Sequence, residues 1–122
     1  MLFVCYPKCT TCKKARAWLD AAGVAYDERD IKEDRPTRAE LSEWLDASGL
    51  EVRRFFNTSG QLYREMELSK RVGSMTRDEA LDLLATDGML VKRPILVGEG
   101  FVLVGFREDE WKKALGKLEK ET

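Results

Sequence analysis

Apolar residues near the start of the chain change from a continuous run to a helical spacing and back again. Residues 2–6 form an apolar run that ends at Pro7, which cannot donate to a sheet, so they predict a buried strand. The next apolar positions recur every three or four residues up to Gly23, and they predict a helix: Ala15, Trp18, Leu19 and Ala22. Residues 24–26 then predict a second strand, parallel to the first because a helix connects the two.

The middle third of the chain has the pattern of helices. Two capping boxes, in which side chains bond amides that the first helical turn leaves unpaired, mark helix starts. They are Thr37 with Glu40 and Thr76 with Glu79. An apolar stripe follows each box, and we expect the first helix to end at Gly49 and the second near Gly88. Shorter helices, interrupted at residues 58–60, are expected between them.

The last third predicts a hairpin and a closing helix. Apolar runs at residues 95–97 and 101–104 flank a glycine-containing link at 98–100, which is typical of an antiparallel hairpin. Helical spacing then recurs at Trp111, Ala114, Leu115 and Leu118. Strands and helices therefore alternate along the chain, and the fold class is α/β.

Composition restricts the possible functions. With 122 residues, of which 43% are hydrophobic and 35% charged, the chain is expected to form one globular domain. Its 21 basic and 22 acidic residues nearly cancel, which disfavours a nucleic-acid partner. The apolar run at the start is too short for a signal segment or a membrane span, so we expect a cytoplasmic protein with no membrane partner.

The three cysteines suggest reactive chemistry. Cys9 and Cys12 lie on one face at the start of the first predicted helix, close enough to form a disulfide. Unpaired amides and the helix dipole stabilise a thiolate at that end, so Cys9 is predicted to be the nucleophile and Cys12 the resolving thiol. Four basic residues nearby are expected to add positive potential: Lys8, Lys13, Lys14 and Arg16.

Other uses of these cysteines are less favoured. A zinc site needs four ligands, but the chain has no histidine and only Cys5 besides the pair, so no metal is expected. Inert packing of Cys9 and Cys12 is the other alternative. Cys5, in the middle of the first strand, is interpreted as a small buried apolar residue.

Three segments together resemble the arsenate reductase (ArsC)-like proteins, which include the Spx type of regulator. The segments are residues 6–15, residues 55–60 with Tyr63 and Arg64, and residues 92–97. The resemblance covers essentially the whole chain. It implies a thioredoxin-like, glutaredoxin-like fold with a mixed four-stranded sheet, in which residues 1–34 and 89–122 form the core and residues from about 36 to 88 form a helical insertion.

The resemblance also implies further site residues. In this fold the proline before the third strand is usually cis, and Pro94 holds that place, which would bring Arg93 beside Cys9. A guanidinium there can stabilise a thiolate and bind an anion. Arsenate-reducing members are expected to hold the oxyanion with three arginines, and Arg93 and Arg107 match two of them. The third position falls on Asn57.

The chain departs from arsenate-reducing members in two ways. Arg53 and Arg54 lie near Asn57, but a shift of three residues is expected to point their side chains elsewhere. Such members also tend to have a histidine four residues before the catalytic cysteine and no second cysteine. Here those positions hold Cys5 and Cys12.

We therefore expect a monomeric thiol–disulfide oxidoreductase that needs no cofactor. Its internal disulfide would be reduced by a cellular thiol system, either glutathione with glutaredoxin or thioredoxin. One alternative is an arsenate reductase that uses the same donors. The other is an Spx-like redox-sensing regulator that binds RNA polymerase. The sequence leaves the substrate open.

Overall fold

The first strand of the chain lies inside a four-stranded sheet. A computed structural model of the protein describes the backbone of residues 1–121 and the side chains of residues 1–116. The strands are β1 (Leu2–Cys5), β2 (Asp27–Asp30), β3 (Ile95–Gly98) and β4 (Phe101–Val104), in the order β2, β1, β3, β4. β1 is parallel to β2 and antiparallel to β3, and β4 is antiparallel to β3. The predicted mixed sheet and its hairpin are confirmed.

The second strand begins later than predicted. The prediction of a strand at residues 24–26 is wrong, because β2 pairs with β1 from Asp27 to Asp30. β2 is an edge strand, so a row of charged residues is tolerated there. The predicted segment packs against the core instead, with the ring of Tyr26 edge-on to Phe3 at 5.4 Å between centroids.

The described part of the chain forms six helices. They are α1 (Thr10–Ala21), α2 (Arg38–Ser48), α3 (Gln61–Glu65), α4 (Leu68–Arg71), α5 (Arg77–Leu84) and α6 (Glu108–Glu121), with 3-10 turns at Val52–Phe55, Val72–Ser74 and Gly88–Leu90. Both predicted capping boxes are formed, at the starts of α2 and α5. α2 ends at Gly49, as predicted, and this glycine is in the left-handed conformation. The expected apolar position Leu118 lies outside the residues whose side chains are described.

The end of α5 differs from the prediction. The helix stops at Leu84, and Gly88 begins a separate 3-10 turn. A side chain at Gly88 would collide with the carbonyl of Ile31, just after β2. The glycine is therefore needed for close packing of this turn against the chain after β2, and it does not end the helix.

The sheet separates two apolar cores, because alternate residues of a strand point to opposite faces. The core beneath α1 and α6 contains Phe3, Cys5, Cys12, Ala15, Leu19, Leu96, Trp111 and Leu115. The core on the other face contains Val4 of β1, Ile95 of β3 and buried residues of α2, α4 and α5. Cys5 and Cys12 consequently share one core.

One ion pair joins β2 to α2. Arg29 donates two hydrogen bonds to the Glu40 carboxylate, at 2.6 and 2.9 Å, and the same carboxylate accepts from the Thr37 amide in the capping box. The bonds from Arg29, followed by those of Thr37, outweigh burial and lower the pKa of Glu40 to about 2. A group whose pKa falls on folding stabilises the native state above its unfolded pKa and loses that effect as it is protonated.

We expect Glu40→Gln to reduce the free energy of unfolding at pH 7 and to flatten its pH dependence. In the wild type this contribution should be lost as the pH falls from 4.5 towards 2. Urea denaturation across this pH range measures the effect. Glu43→Gln, at an exposed position of α2, is the control. An unchanged pH slope in Glu40→Gln would show that the pair with Arg29 does not contribute.

Candidate active site

Cys9 lies where the loop after β1 becomes helix α1. It is the N-cap residue of α1, with extended backbone angles of φ −79° and ψ 125°. Its amide donates to the Tyr6 carbonyl at 2.9 Å, and its carbonyl accepts from the Lys13 amide at 3.0 Å. These bonds fix the position of Cys9 at the helix N-terminus, where its side chain is half-buried.

The environment of the Cys9 sulfur favours the thiolate. Cys9 Sγ accepts no N-cap hydrogen bond, so the nearby amides of α1 act on it through their dipoles. Burial alone raises the pKa of Cys9, but the amide and thiol of Cys12, the amide of Thr11 and the charge of Arg93 outweigh it and lower that pKa. The amides at the start of α1 and the charge of Arg93 thus both favour the ionised form of Cys9.

Cys12 has the opposite environment. It is fully buried, and burial, followed in effect by the charge of Cys9, raises the pKa of its thiol to about 12. The Tyr6 amide donates to Cys12 Sγ at 3.4 Å and partly opposes this rise. The two thiols of the pair thus differ in both exposure and acidity.

Cys5 is fully buried behind the pair. Burial, followed by the charge of Glu28, raises the pKa of its thiol to about 11. Arg16 lies over Cys5, with Nη2 at 3.7 Å from Sγ, and pairs with Glu28 at 2.6 Å. The expectation that Arg16 adds potential at Cys9 is wrong, since its charge is directed to Cys5 and Glu28.

The three lysines of this segment face solvent. Lys8, Lys13 and Lys14 are exposed, and none of them lines the cleft beside Cys9. Solvent screens charges in such positions, so we assign these lysines no specific role.

Arg93 supplies a positive charge to the site from the segment before β3. The peptide bond between Arg93 and Pro94 is cis. Arg93 Nη1 donates to the carbonyls of Met89 and Val91 at 3.1 and 3.3 Å, and its guanidinium carbon lies 5.5 Å from the centre of the Tyr6 ring. These contacts hold the guanidinium in place, and its charge helps to lower the pKa of Cys9.

A cleft with a volume of about 580 Å³ opens beside Cys9. We call it the basic cleft, because five of the residues that line it are basic and none of the described lining residues is acidic. The basic residues are Arg53, Arg54, Lys92, Arg93 and Arg107. They come from the 3-10 turn before Phe56, the segment before β3 and the loop after β4. An electropositive cleft of this kind attracts anions.

Arg107 and Asn57 both line the basic cleft, together with Cys9 and Arg93. Arg107 is exposed in the loop before α6, whereas the Asn57 side chain is 9% exposed. Asn57 Oδ1 accepts from Ser59 Oγ at 3.3 Å, and the Asn57 carbonyl accepts from the Gly60 amide at 3.1 Å. The structure thus brings the predicted site residues together, with Asn57 as an uncharged part of the wall.

Arg53 and Arg54 also line this cleft, so the expectation that they point elsewhere is wrong. They lie on a 3-10 turn, whose spacing differs from that of an α-helix. The next two residues, Phe55 and Phe56, are buried and anchor the turn in the core. A pair of arginines directly before two buried aromatic residues is the sequence signal that could have placed them at the edge of the cleft.

The described residues contain no cluster of ligands for a metal ion. No group of three or more histidine, cysteine, aspartate or glutamate side chains there is arranged to hold one. In the same part of the chain, every helix is too short or too polar to cross a membrane.

The strand order, the cis-proline before β3 and the CxxC pair at the start of α1 define a protein of thioredoxin-like fold. The chain belongs to the ArsC family, whose model matches residues 5–114. This confirms the resemblance inferred from the sequence.

Individual relatives agree with this assignment. The chain is 45% identical over 113 residues to YusI of Bacillus subtilis. The aligned residues cover 93% of this chain and 96% of that protein. The crystal structure of an ArsC family related protein from Bacteroides fragilis matches with a TM-score of 0.90 and 52% identity, over 92% of this chain and 94% of that one. The global transcriptional regulator Spx of Streptococcus mutans is 29% identical over 104 residues, which are 85% of this chain and 74% of that protein.

Proposed function

We propose that the protein is a thiol–disulfide oxidoreductase in which Cys9 attacks and Cys12 resolves. The observation that carries this proposal is the difference between the two thiols. Cys9 is half-buried, opens onto the basic cleft and has a lowered pKa, whereas Cys12 is fully buried and has a raised one. An attacking thiol must reach its substrate as a thiolate, but a resolving thiol needs to reach only its partner sulfur.

The first step is an attack of the Cys9 thiolate on one sulfur of a substrate disulfide. A bond forms between Cys9 Sγ and that sulfur, the substrate S–S bond breaks, and the other half leaves as a thiolate. Arg93, held beside Cys9, stabilises the attacking thiolate. The product is a mixed disulfide on Cys9, which no longer carries a negative charge.

The second step depends on this loss of charge. The Cys9 thiolate is one of the groups that raise the pKa of Cys12, so its conversion to a disulfide makes Cys12 easier to ionise. The Tyr6 amide at 3.4 Å also favours the ionised form of Cys12. Cys12 then attacks Cys9 Sγ and releases the second substrate thiolate. The substrate has gained two electrons, and the protein holds a Cys9–Cys12 disulfide.

A thiol reductant completes the cycle. Two electrons from glutathione with glutaredoxin, or from thioredoxin, would return the internal disulfide to two thiols. The half-buried Cys9 sulfur is the accessible point of attack for such a donor, because Cys12 is fully buried.

Trapping from cell extract tests the proposal. Cys12→Ser removes resolution and leaves attack intact, so we expect it to accumulate mixed disulfides through Cys9, which mass spectrometry identifies after non-reducing electrophoresis. If the serine variant folds poorly, Cys12→Ala replaces it in the trapping experiment. The matched variant Cys9→Ser should trap nothing. Equal trapping by both variants, or trapping by neither, would overturn the proposal.

Arsenate reduction is a second candidate, and the basic cleft favours it. Arg53 and Arg54 line the cleft with Arg93 and Arg107, so cationic groups for an oxyanion are present although the expected third position is Asn57. Formation of arsenite from arsenate, with glutathione and glutaredoxin as the electron source, tests this activity. Its absence under conditions in which the protein reduces disulfides would exclude it.

A redox-sensing regulator is the third candidate, supported by the likeness to a relative named as the transcriptional regulator Spx. In this role the Cys9–Cys12 pair would report oxidation through formation of its disulfide. Co-purification of the full chain with RNA polymerase, from cells with and without oxidant, tests the idea. A chain that never co-purifies in either state would count against it.

A further inference from the structure

We propose that the basic cleft binds a small disulfide that carries carboxylates, and that Arg54 is the residue that gives this specificity. The inference rests on the proposed function, because it names the substrate class of the same site. It concerns a residue outside the CxxC pair and outside the three arginine positions expected from the resemblance.

The charge of the cleft is local. The whole chain has a net charge of −1, yet the lining of the cleft has five basic residues and no acidic one among those described. These residues come from three separate segments of the chain, so the fold itself concentrates them beside Cys9. Such a concentration of one charge favours an anionic ligand.

The size of the cleft indicates more than a single oxyanion. Its volume of about 580 Å³ lies in the range of clefts that hold organic ligands of several functional groups, roughly 300 to 1,000 Å³. The lining also contains apolar surface from Leu50, Phe56, Val104 and Phe106. An organic molecule with anionic groups fits both the volume and the mixed lining.

The basic residues of the cleft differ in their charge partners. Arg93 lies beside Cys9 and is held by two backbone carbonyls, so its charge serves the sulfur. The charge of Arg53 is paired with Glu51 at 2.9 Å. Arg54, Lys92 and Arg107 also line the cleft and make no ion pair with any residue whose side chain is described. Of these three, Lys92 has no guanidinium, and Arg107 is a position already expected from the resemblance. Arg54 is therefore available for a carboxylate of the ligand.

A guanidinium suits this role because its fork of N–H groups matches the two oxygens of a carboxylate. With the disulfide of the ligand at Cys9, a carboxylate elsewhere on the ligand would pair with Arg54. The exchange reaction is the one described above, and both departing thiolates carry their carboxylates with them.

Kinetics with two disulfides test the inference. Thioredoxin, kept reduced by thioredoxin reductase and NADPH, is the electron source, because glutathione as the donor would regenerate glutathione disulfide. We expect Arg54→Gln to lower kcat/KM for glutathione disulfide, which carries carboxylates, by about fivefold through a higher KM. Its kcat/KM for the neutral bis(2-hydroxyethyl) disulfide should change by less than about twofold, because an uncharged ligand offers no partner. Arg35→Gln, an exposed arginine that does not line the cleft, is the charge-matched control and should behave as the wild type with both.

A binding measurement tests ligand recognition in the cleft without disulfide exchange. S-methylglutathione cannot exchange disulfides, and its affinity for the wild type, measured by calorimetry, should fall by a similar factor in Arg54→Gln and much less in Arg35→Gln. Equal affinities in the wild type and Arg54→Gln, or equal losses with the charged and neutral disulfides, would overturn the role of Arg54. Failure of the wild type to reduce any disulfide, with binding still dependent on Arg54, would overturn the proposed function and leave the anion site standing.

Discussion

Replacing Cys9 with serine is expected to lower the rate of disulfide reduction by about a thousandfold or more, to the level of the uncatalysed reaction. A serine hydroxyl stays protonated near neutral pH and does not exchange with disulfides, so the groups that lower the pKa of Cys9 have nothing to act on. The release of thiols from a model disulfide, followed with a coupled reductant, measures the rate. In the wild type this rate should rise with pH through a pKa lower than that of an ordinary cysteine.

Two other cysteine variants serve as controls for this loss. Without added reductant, Cys12→Ser should release one thiol per protein and stop at the mixed disulfide on Cys9, whereas the wild type should release two. Cys5→Ala removes a fully buried thiol that the proposed cycle does not use, and its turnover should stay near that of the wild type. Substantial turnover by Cys9→Ser would contradict the assignment of Cys9 as nucleophile.

Replacing Trp111 with alanine is expected to reduce the free energy of unfolding by about 3–5 kcal/mol. Trp111 is fully buried in the core beneath α1 and α6, where its ring meets those of Phe3, Trp18 and Phe106 edge-on. Its indole N–H also donates to the Gly105 carbonyl at 3.0 Å. Alanine would leave a cavity and an unpaired carbonyl, and denaturation in urea measures the loss.

Trp18→Ala is the matched control for this loss of stability. Trp18 is partly exposed and its indole donates to the exposed Glu108 carboxylate at 3.2 Å, so we expect a clearly smaller loss. Trp111 also holds the loop at Gly105 and Phe106, both of which line the basic cleft, so a higher KM should accompany the lower stability. Equal losses of stability in the two variants would contradict the anchoring role of Trp111.

Local chemistry explains the parts of the fold that were predicted correctly. The capping boxes at Thr37 and Thr76 and the helix end at Gly49 depend on residues within one or two turns of each other, and all three are found as predicted. The hairpin at residues 95–104 is likewise a local feature, because two apolar runs and a glycine suffice to specify it.

The incorrect predictions concern features that distant residues decide. β2 consists of charged residues, which are tolerated because it is an edge strand. Position 88 requires glycine because the carbonyl of Ile31, in the chain after β2, lies too close for a side chain. Arg16 is directed away from Cys9 by Glu28, which lies on β2. None of these contacts is visible in a pattern of neighbouring residues.

The candidate site divides in the same way. The CxxC pair at the start of a helix could be identified from the sequence, since the effect of a helix N-terminus on a thiol is local. The roles proposed for Cys9 and Cys12 remain predictions for the variants above. The entry of Arg53 and Arg54 into the basic cleft was not predicted, because it depends on a 3-10 turn that the burial of Phe55 and Phe56 anchors, and the expected register was that of an α-helix.

By itself, the sequence determined the α/β class, the helix caps and the position of the CxxC pair at the start of a helix, because each of these follows from hydrogen bonds and side chains close together in the chain. Only the tertiary structure decided that Cys9 opens onto a cleft with five basic residues while Cys12 and Cys5 are buried. The physical reason is that burial and charge at a sulfur depend on segments far apart in sequence, which the sheet and the helices packed against it bring together.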